Sequence, residues 1–400
     1  MTPPQPRPAR HVDDLERRAR LARRHGLAPG CGYPDEVAAA RGIAALHATE
    51  PATVHLALRA RVPTTTVAGV EDALYGARSI VKQTAMRQTL FGVTRDVLPA
   101  VLGGPSARVA DTLRRRVAQD LERSGVTRDG PAWLAAAGDE VLEALATAEP
   151  TAPELRAALP GRDVTIDRSP GSRWGASVPV LPQVLWVLAA EGRVVRAHNA
   201  GHWRLSKPRW TTAERWLGEA PDPLPAREAH AEVVRLWLRA FGPGTEADLR
   251  WWLGGTLGAV RTALADLGAV PVSLEGTDAV GRLLPDDLEP VEPPDRWAAL
   301  LPTLDPAVMG WRGRTFYLGG HGPALVDAAG NAGTTAWWDG RVVGCWVQDD
   351  EARVRVALLE DVPAAGRRAL DAEAERLTGW LDGVRVTTIY SSPAMREAAG

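Results

Sequence analysis

One nine-residue pattern occurs twice in this chain, as TAPELRAAL at residues 151–159 and as TEADLRWWL at residues 245–253. Both copies read Thr-x-x-acid-Leu-Arg-x-x-Leu. In such a pattern the threonine hydroxyl accepts a hydrogen bond from a free backbone N–H at the start of a helix, and the acid three residues later accepts one from the backbone N–H of the threonine. We therefore predict that Thr151 and Thr245 each cap the N-terminus of a short helix.

The segments on either side of the two copies are also alike. A helical segment precedes each copy, PAWLAAAGDEVLEALATA in one case and REAHAEVVRLWLRAFG in the other. A further helix, a glycine and two strand-like runs follow each copy. Helix, short helix, helix and hairpin is the order of a winged helix, a helix-turn-helix with a β-hairpin wing. A less regular third copy begins at DEVAAARGIAALHAT, which we predict to be one helix over residues 35–49.

The pattern changes from residue 300 onwards. TTAWWDGRVVGCWVQ and ARVRVALLEDV indicate antiparallel strands joined at Asp339-Gly340, a helix follows, and VRVTTIY is predicted to be a last strand. A chain of 400 residues is longer than one hydrophobic core usually organises. We predict three winged-helix units at residues 1–125, 126–222 and 223–298, and a β-rich C-terminal domain at residues 299–400.

Several classes of protein are excluded by what the chain contains. Cys31 and Cys345 are too far apart in sequence to indicate a disulfide framework or a zinc site, and we interpret both as structural thiols. The eight histidines show no metal-ligand spacing, so we expect no metal ion and no cofactor. No apolar run approaches the ~20 residues of a membrane span, and the N-terminus lacks the apolar core of a signal peptide. We expect a monomeric, cytoplasmic, nucleoid-associated protein with no membrane partner.

The distribution of charge is uneven along the chain. The net charge is −2, but residues 1–130 contain 20 basic and 13 acidic residues, a balance of +7 that leaves −9 for the remainder. All 47 basic residues except Lys82 and Lys207 are arginine, whose planar guanidinium suits phosphates and base edges. Codon bias in a GC-rich genome is the alternative explanation of this arginine excess.

Four segments of the chain resemble the recurring blocks of a known family: MRQTLFGV, FGPGTEADLRWWLG, LLPTLDPAVMGW and WWDGRVVGCW. The family is the bacterial winged-helix DNA-binding family that includes the alkylpurine and interstrand-crosslink DNA glycosylases of the azinomycin-resistance type. The resemblance extends over residues 15–350. It implies an α+β fold of three tandem winged-helix units followed by a small β-barrel-like C-terminal domain, with damaged double-stranded DNA bound in a concave face.

The resemblance also implies a catalytic position. In the glycosylases of this family a Gln-x-Gln or Gln-x-Asp motif, just before a proline-containing turn in the first winged helix, places the water that attacks C1′ of the sugar. The corresponding residues here are His47, Ala48 and Thr49, so neither glutamine is kept. His47 is a candidate acceptor or base for the water, Thr49 a group that orients it, and Glu50 a carboxylate that stabilises an oxocarbenium-like sugar. The alternative is that His47 caps the end of a helix by donating to a free carbonyl.

Candidate DNA contacts come from three parts of the chain. Arg87 matches an arginine of the family block and could meet a phosphate near the lesion, with Lys82 in the preceding strand as a weaker candidate. Arg173 lies beside Trp174 in an insert that the other repeat lacks. The segment RVVRAHNAGHWRLSKPRW has no acid in eighteen residues, and such a hairpin can follow phosphates. Its candidate residues are Arg193, Arg196, Arg204, Lys207 and Arg209, for which a solvated wing face is the alternative.

Two functions from different classes follow from these patterns. The first is a monofunctional DNA glycosylase that hydrolyses the N-glycosidic bond of bulky N7-alkylated or crosslinked purines. It predicts that His47 faces a solvent-filled cleft on the basic surface. The second is a non-catalytic DNA-binding protein or regulator, which predicts that His47 is buried or turned away from that surface.

Overall fold

The computed structural model describes residues 7–168 and 175–399. The N-terminal region contains a short strand, a helix capped by Asp13, and then a helix, a short strand, two helices and a hairpin. The last three strands form a sheet in the order β2-β4-β3. The elements are β1 (His11–Val12), α1 (Asp14–Arg24), α2 (Glu36–Gly42), β2 (Leu46–His47), α3 (Pro51–Arg59), α4 (Val67–Glu71), β3 (Ile80–Thr84) and β4 (Leu90–Thr94).

The helix predicted over residues 35–49 is wrong in its second half. α2 ends at Gly42, Ala44 has a φ of +64°, and the chain then enters β2. Leu46 and His47 pair with Gly92 and Phe91 of β4, so a partner strand more than 40 residues away supplies the hydrogen bonds. Local helix propensity was overridden by this pairing.

The middle region has a similar order of elements, with an additional hairpin, β5-β6, between α8 and α9. Thr151 forms an isolated bridge with Arg209, which places a short extended segment beside the hairpin β7-β8. Its elements, with the preceding linker helices, are α5 (Leu98–Val101), α6 (Ala107–Arg123), α7 (Gly130–Thr147), α8 (Ala152–Ala158), β5 (Thr165–Arg168), β6 (Ala176–Pro179), α9 (Leu181–Ala190), β7 (Val194–Asn199), β8 (Pro208–Thr212) and α10 (Ala213–Leu217).

The third region has this order too, and its strands pair as β10-β11-β9 with β1 added in parallel to β10. The predicted caps are confirmed, because the hydroxyls of Thr151 and Thr245 accept from Glu154 N and Asp248 N, and both acids accept from the threonine backbone in return. The elements are α11 (Ala226–Phe241), β9 (Gly244–Thr245), α12 (Glu246–Leu253), α13 (Leu257–Asp266), β10 (Val270–Leu274) and β11 (Thr277–Leu283).

The C-terminal region contains one antiparallel sheet in the order β12-β13-β14-β15. Asp339 and Gly340 form the predicted two-residue hairpin turn, both with positive φ. The elements are β12 (Ala298–Leu301), α14 (Pro306–Met309), α15 (Thr315–Leu318), α16 (Gly322–Leu325), β13 (Thr335–Trp338), β14 (Arg341–Gln348), β15 (Val354–Leu358), α17 (Ala364–Leu381) and α18 (Pro393–Ala399).

The predicted β-barrel-like shape of this region is wrong. In described residues 299–399 the sheet stays open, since β12 and β15 are its two edges and do not pair with each other. The helix α17 covers one face instead and buries Leu370 and Leu377 in a cluster with Trp338 and Trp346. Four strands are too few to close around side chains. The predicted last strand, VRVTTIY, is also wrong, because residues 384–390 pair with no strand.

One large hydrophobic core joins the first, third and C-terminal regions. It includes Phe91 from β4, Trp237 and Trp252 from the third region, and Trp311 and Trp337 from the C-terminal region. The middle region has a core of its own, built from α6, α7 and α9. The short strand β2 therefore lies against an interface between regions.

A buried ion pair strengthens that interface. The guanidinium of Arg61, just after α3, donates to both carboxylate oxygens of Asp305 at 2.9 and 2.7 Å, and neither side chain is exposed. Arg61 also donates to Ala57 O at 2.8 Å, and Asp305 accepts from Ala307 N at 2.8 Å. The pair thus connects the end of α3, the helix that follows His47, Ala48 and Thr49, to the first turn of α14.

Candidate active site at residues 47 to 50

Residues 47 to 50 connect β2 to α3. Ala48 N donates to Leu90 O at 2.9 Å, which continues the ladder with β4 by one residue. Glu50 is the N-cap residue of α3 and its side chain makes no capping hydrogen bond, while Pro51 is the first helical residue. The segment is a strand-to-helix connection. The alternative in which His47 caps the end of a helix is therefore wrong.

His47 is buried at this position, with 3% of its surface exposed. Its ring packs against Phe91 with 5.0 Å between centroids, and its Nδ1 is sealed from solvent without a hydrogen-bond partner. Burial, followed by the positive charge of Arg87, lowers the pKa of His47 to about 3. The expected solvent-filled cleft in front of His47 is wrong. The imidazole is neutral near pH 7, when it can accept a hydrogen bond but is a weak base.

Thr49 shows the same lack of a partner. Its Oγ1 is buried and makes no hydrogen bond. Thr49 follows His47 by two residues and lies in the bend between β2 and α3. A buried polar atom without a partner costs free energy and is rare in folded proteins. Two such atoms therefore occur within the three residues to which the family resemblance assigns the catalytic motif.

Glu50 is engaged by a distant part of the chain. Its Oε1 accepts from Thr388 Oγ1 at 2.7 Å and from Ile389 N at 2.9 Å. Burial raises the pKa of the half-buried Glu50 carboxyl, and these two hydrogen bonds oppose that rise. The sequence prediction missed this contact because it assigned residues 384–390 to a strand. No local sequence pattern predicts that the Glu50 carboxylate accepts hydrogen bonds from a backbone segment so far along the chain.

Arg87 lies close enough to His47 for its charge to act on the imidazole. It belongs to the turn Met86–Gln88 between β3 and β4, with a φ of +55°, and its guanidinium carbon is 4.3 Å from the centroid of the Trp251 ring. Its Nε is buried without a partner. Burial, followed by the charge of Arg314, lowers the pKa of Arg87 to about 10, so it stays cationic at neutral pH.

Lys82 lies on the other face of the same sheet. Lys82, Gly92 and Leu46 are paired across the three strands, so they share one face of the sheet. His47 pairs with Phe91, the next position along β4, and this pair points to the opposite face. Lys82 Nζ donates to Tyr75 Oη at 2.7 Å. Burial, followed by the charge of Arg196, lowers the pKa of Lys82 to about 7. The structure thus brings Arg87 towards His47 and separates Lys82 from both.

Arg196 lies near Lys82, on the side of the sheet opposite His47. Its guanidinium lies 5.3 Å from the Trp210 ring centroid, its Nε has no partner, and burial lowers its pKa to about 10. Lys82 and Arg196 line a cavity of about 20 Å³ together with Ala48 and Pro51. This volume is about that of one water molecule.

The other predicted contacts of the basic hairpin divide into two groups. Arg193 lies 3.6 Å from Asp139 and 3.8 Å from Glu191, and Arg209 donates to Glu154 at 3.0 Å, so acids already neutralise both. Arg204 and Lys207 lie in the connection between β7 and β8, and within residues 7–168 and 175–399 neither pairs with a carboxylate. Arg173 lies outside the described residues.

Two further features bear on the chemistry. Among the residues that the structure describes, no cluster of three or more His, Cys, Asp or Glu side chains is arranged to hold a metal ion. Cys345 is buried and Cys31 half-buried, both as free thiols.

A search of the described helices finds none with the length and apolarity that crossing a membrane requires.

The chain is similar to known proteins both in sequence and in fold. Residues 40–380 match the model of the family described as DNA glycosylase AlkZ-like. The chain belongs to this DNA glycosylase family, a class of N-glycosyl hydrolases that bind DNA. Among solved structures, the Streptomyces sahachiroi DNA glycosylase AlkZ is similar, with a TM-score of 0.72 and 22% identity over 92% of this chain and 96% of that one. No curated protein matches the chain.

The buried histidines make a pH dependence of stability that can be tested. His55 in α3 has a pKa lowered to about 3 by burial, and its Nε2 has no partner. In the unfolded chain His55 takes up a proton near pH 6.5, whereas in the folded chain it stays neutral until the pH approaches 3. The free energy of unfolding is therefore unaffected by His55 above pH 6.5 and decreases as the pH falls from 6.5 towards 3. At pH 5 this histidine should lower the free energy of unfolding by about 2 kcal/mol relative to pH 7.5.

Urea unfolding at pH 7.5 and pH 5 measures this loss. The variant His55→Leu should lose about 2 kcal/mol less than wild type between the two pH values, because its side chain does not titrate. Only the pH-dependent change is compared, so a difference in stability at pH 7.5 does not affect the result. Equal losses in both proteins would show that His55 is protonated in the folded state.

Proposed function

We propose that this protein is a monofunctional DNA glycosylase that hydrolyses the N-glycosidic bond of bulky N7-alkylated or crosslinked purines, in the repair of alkylated or crosslinked DNA. The observation that carries the proposal is the pair of polar atoms without partners, His47 Nδ1 and Thr49 Oγ1, at the position of the family's catalytic motif. In the proposed site one water molecule forms hydrogen bonds with both atoms. The family membership supports the reaction class.

The chemistry suits a weakly basic site. An N7-alkylated guanine is cationic, so the C1′–N9 bond breaks with its electron pair moving to the purine, which leaves as a neutral base. The water oxygen then bonds to C1′ of the oxocarbenium-like sugar and releases its proton to solvent. With a pKa of about 3, His47 serves as a hydrogen-bond acceptor that holds the water and not as its general base.

Two charged groups complete the proposed site. Glu50 uses Oε1 to hold the C-terminal segment, and its Oε2 presents negative charge to the sugar cation, by the logic of glycoside hydrolysis. Arg87 supplies positive charge for a phosphate that flanks the lesion, because no carboxylate among the described residues neutralises it. Thr49 orients the water from the other side.

The proposed docking surface uses the three repeated regions. We assign each order of helix, short strand, two helices and hairpin to a winged helix, with boundaries at residues 1–125, 126–222 and 223–298, and the protein acts as a monomer. Arg204 and Lys207, in the connection between β7 and β8, provide unpaired positive charge for phosphates. Lys82 and Arg196 add positive charge on the opposite side of the sheet from His47. Arg193 and Arg209 contribute less, because each is paired with an acid.

An excision assay tests the proposal. A duplex that carries one N7-alkylguanine is incubated with excess protein and then treated, at the same temperature, with an endonuclease that cleaves only at abasic sites. We expect cleavage at the lesion after this treatment and an intact strand before it, since a monofunctional glycosylase leaves the backbone whole. The same lesion duplex incubated without protein is the matched control, because N7-alkylguanine also depurinates spontaneously.

The second candidate function is non-catalytic DNA binding, and one observation favours it. His47 is 3% exposed and does not open onto a cleft. The same assay separates the two functions, because a protein that binds the alkylated duplex with full occupancy and yields no abasic site is a binding protein only. Excision at any rate above the spontaneous depurination of the control excludes it.

A further inference from the structure

The segment between α17 and α18, residues 384–392, has no regular secondary structure, has a bend at Ile389 and pairs with no strand. Side chains hold it instead. Gln348 of β14 donates from Nε2 to Val384 O at 2.9 Å and accepts from Val386 N at 2.8 Å. Glu50 then binds Thr388 and Ile389 at the far end. The backbone is therefore positioned at both ends, and one of its two anchors is part of the candidate motif.

Ile389 stands out in this segment because its side chain is exposed. It is 85% exposed, whereas the other exposed large apolar residues range from 36% for Leu205 to 51% for Leu15. The next residue, Tyr390, packs against the main core. The segment thus presents one apolar side chain to solvent on a backbone whose own amide is hydrogen-bonded to Glu50.

The charge around Ile389 suits DNA. Residues 384–396 contain Arg385 and Arg396 and no acid. Both arginines line the cavity that separates this segment from the start of α3, and Glu50 lines it too. One oxygen of the Glu50 carboxylate, Oε1, is occupied by its hydrogen bonds from Thr388 and Ile389. Arg385 lies 3.9 Å from the exposed carboxylate of Asp350. Arg396, in contrast, donates to Ser391 O and has no carboxylate partner among the described residues, so Arg396 supplies the positive charge for an approaching phosphate.

We propose that Ile389 is an apolar wedge that inserts into the base stack of duplex DNA beside the lesion, with the Glu50 carboxylate holding the wedge in register with the motif. The inference rests on the proposed function for its substrate. Apolar side chains such as Ile, Leu and Met unstack a base step when they enter it, and the unstacked step exposes the glycosidic bond. Because two side chains already order the segment, insertion loses little conformational entropy.

A fluorescence experiment on the full chain tests the wedge without requiring catalysis. The probe is a duplex with a stable tetrahydrofuran abasic analogue next to 2-aminopurine, whose fluorescence rises when its stacking is lost. Wild type should raise the fluorescence, and Ile389→Ala should lose most of that rise while its binding keeps the same salt dependence. Ile389→Leu should behave like wild type. Leu15→Ala, an exposed apolar residue on α1, is the matched control and should also behave like wild type.

Excision provides the second readout. Ile389→Ala should lower single-turnover excision of an N7-alkylguanine by about tenfold, as expected when unstacking is no longer assisted. If Ile389→Ala keeps both the full fluorescence rise and the wild-type excision rate, the wedge is wrong and the glycosylase function stands. If wild type excises nothing but Ile389→Ala still abolishes the fluorescence rise, the wedge stands and the proposed function is wrong.

Discussion

Replacing His47 by alanine is expected to lower the single-turnover excision of an N7-alkylguanine by roughly 100-fold, with DNA affinity nearly unchanged. The reason is that the attacking water loses one of the two groups that hold it in line with C1′, and a misplaced reactant costs about this factor. Measuring the rate at saturating protein and the dissociation constant on an unreactive analogue separates the two effects. Thr49→Ala should cost less, since a second water can replace the hydroxyl.

The pH profile distinguishes a water-holding role from a general base. With the pKa of His47 at about 3, the rate should stay level from about pH 5 to pH 8. His47→Gln keeps an acceptor without a titrating ring and should restore part of the activity lost in the alanine variant. A wild-type rate that falls below pH 6.5 and becomes level in His47→Gln would instead identify His47 as the base.

Replacing Asp305 by alanine should lower the free energy of unfolding by about 3 to 5 kcal/mol, because it leaves the cation of Arg61 buried without its partner. Arg61 is fully buried and donates to both oxygens of Asp305, so solvent cannot take the place of the carboxylate. Removing the carboxylate also leaves Ala307 N without its acceptor. Denaturant midpoints of wild type and variant measure the loss.

The double variant Arg61→Met, Asp305→Leu is the control for this prediction. It removes both charges, so it should be closer to wild type than Asp305→Ala is, as found in general when an apolar pair replaces a buried ion pair. A loss below about 1 kcal/mol in Asp305→Ala would mean that water reaches Arg61 and that the pair does not join α3 to α14 as described.

The sequence was most informative where the responsible interactions are local. Thr151 and Thr245 cap their helices through residues three positions away, and Asp339-Gly340 turns the chain within two residues. Such contacts form whatever the rest of the molecule does, which is why spacing and residue type predicted them. The family blocks, which carry the DNA glycosylase assignment, were also readable, and the family model confirms them.

The environment of the candidate site was decided by contacts across the whole chain. β2 exists because β4 pairs with it, and that pairing separates His47 from Lys82 by placing them on opposite faces. Glu50 meets Thr388, which is 338 residues further along. The C-terminal sheet stays open because α17 covers one of its faces.

Sequence alone therefore determined the two threonine caps, the Asp339-Gly340 turn and the family of this protein. The tertiary structure decided which of the candidate residues are buried, which face each other and which remain charged without a partner. The physical reason is the separation along the chain of the residues that interact. Hydrogen bonds within a turn depend on neighbouring residues only, whereas burial, and with it the pKa of His47, depends on every segment that packs around the side chain.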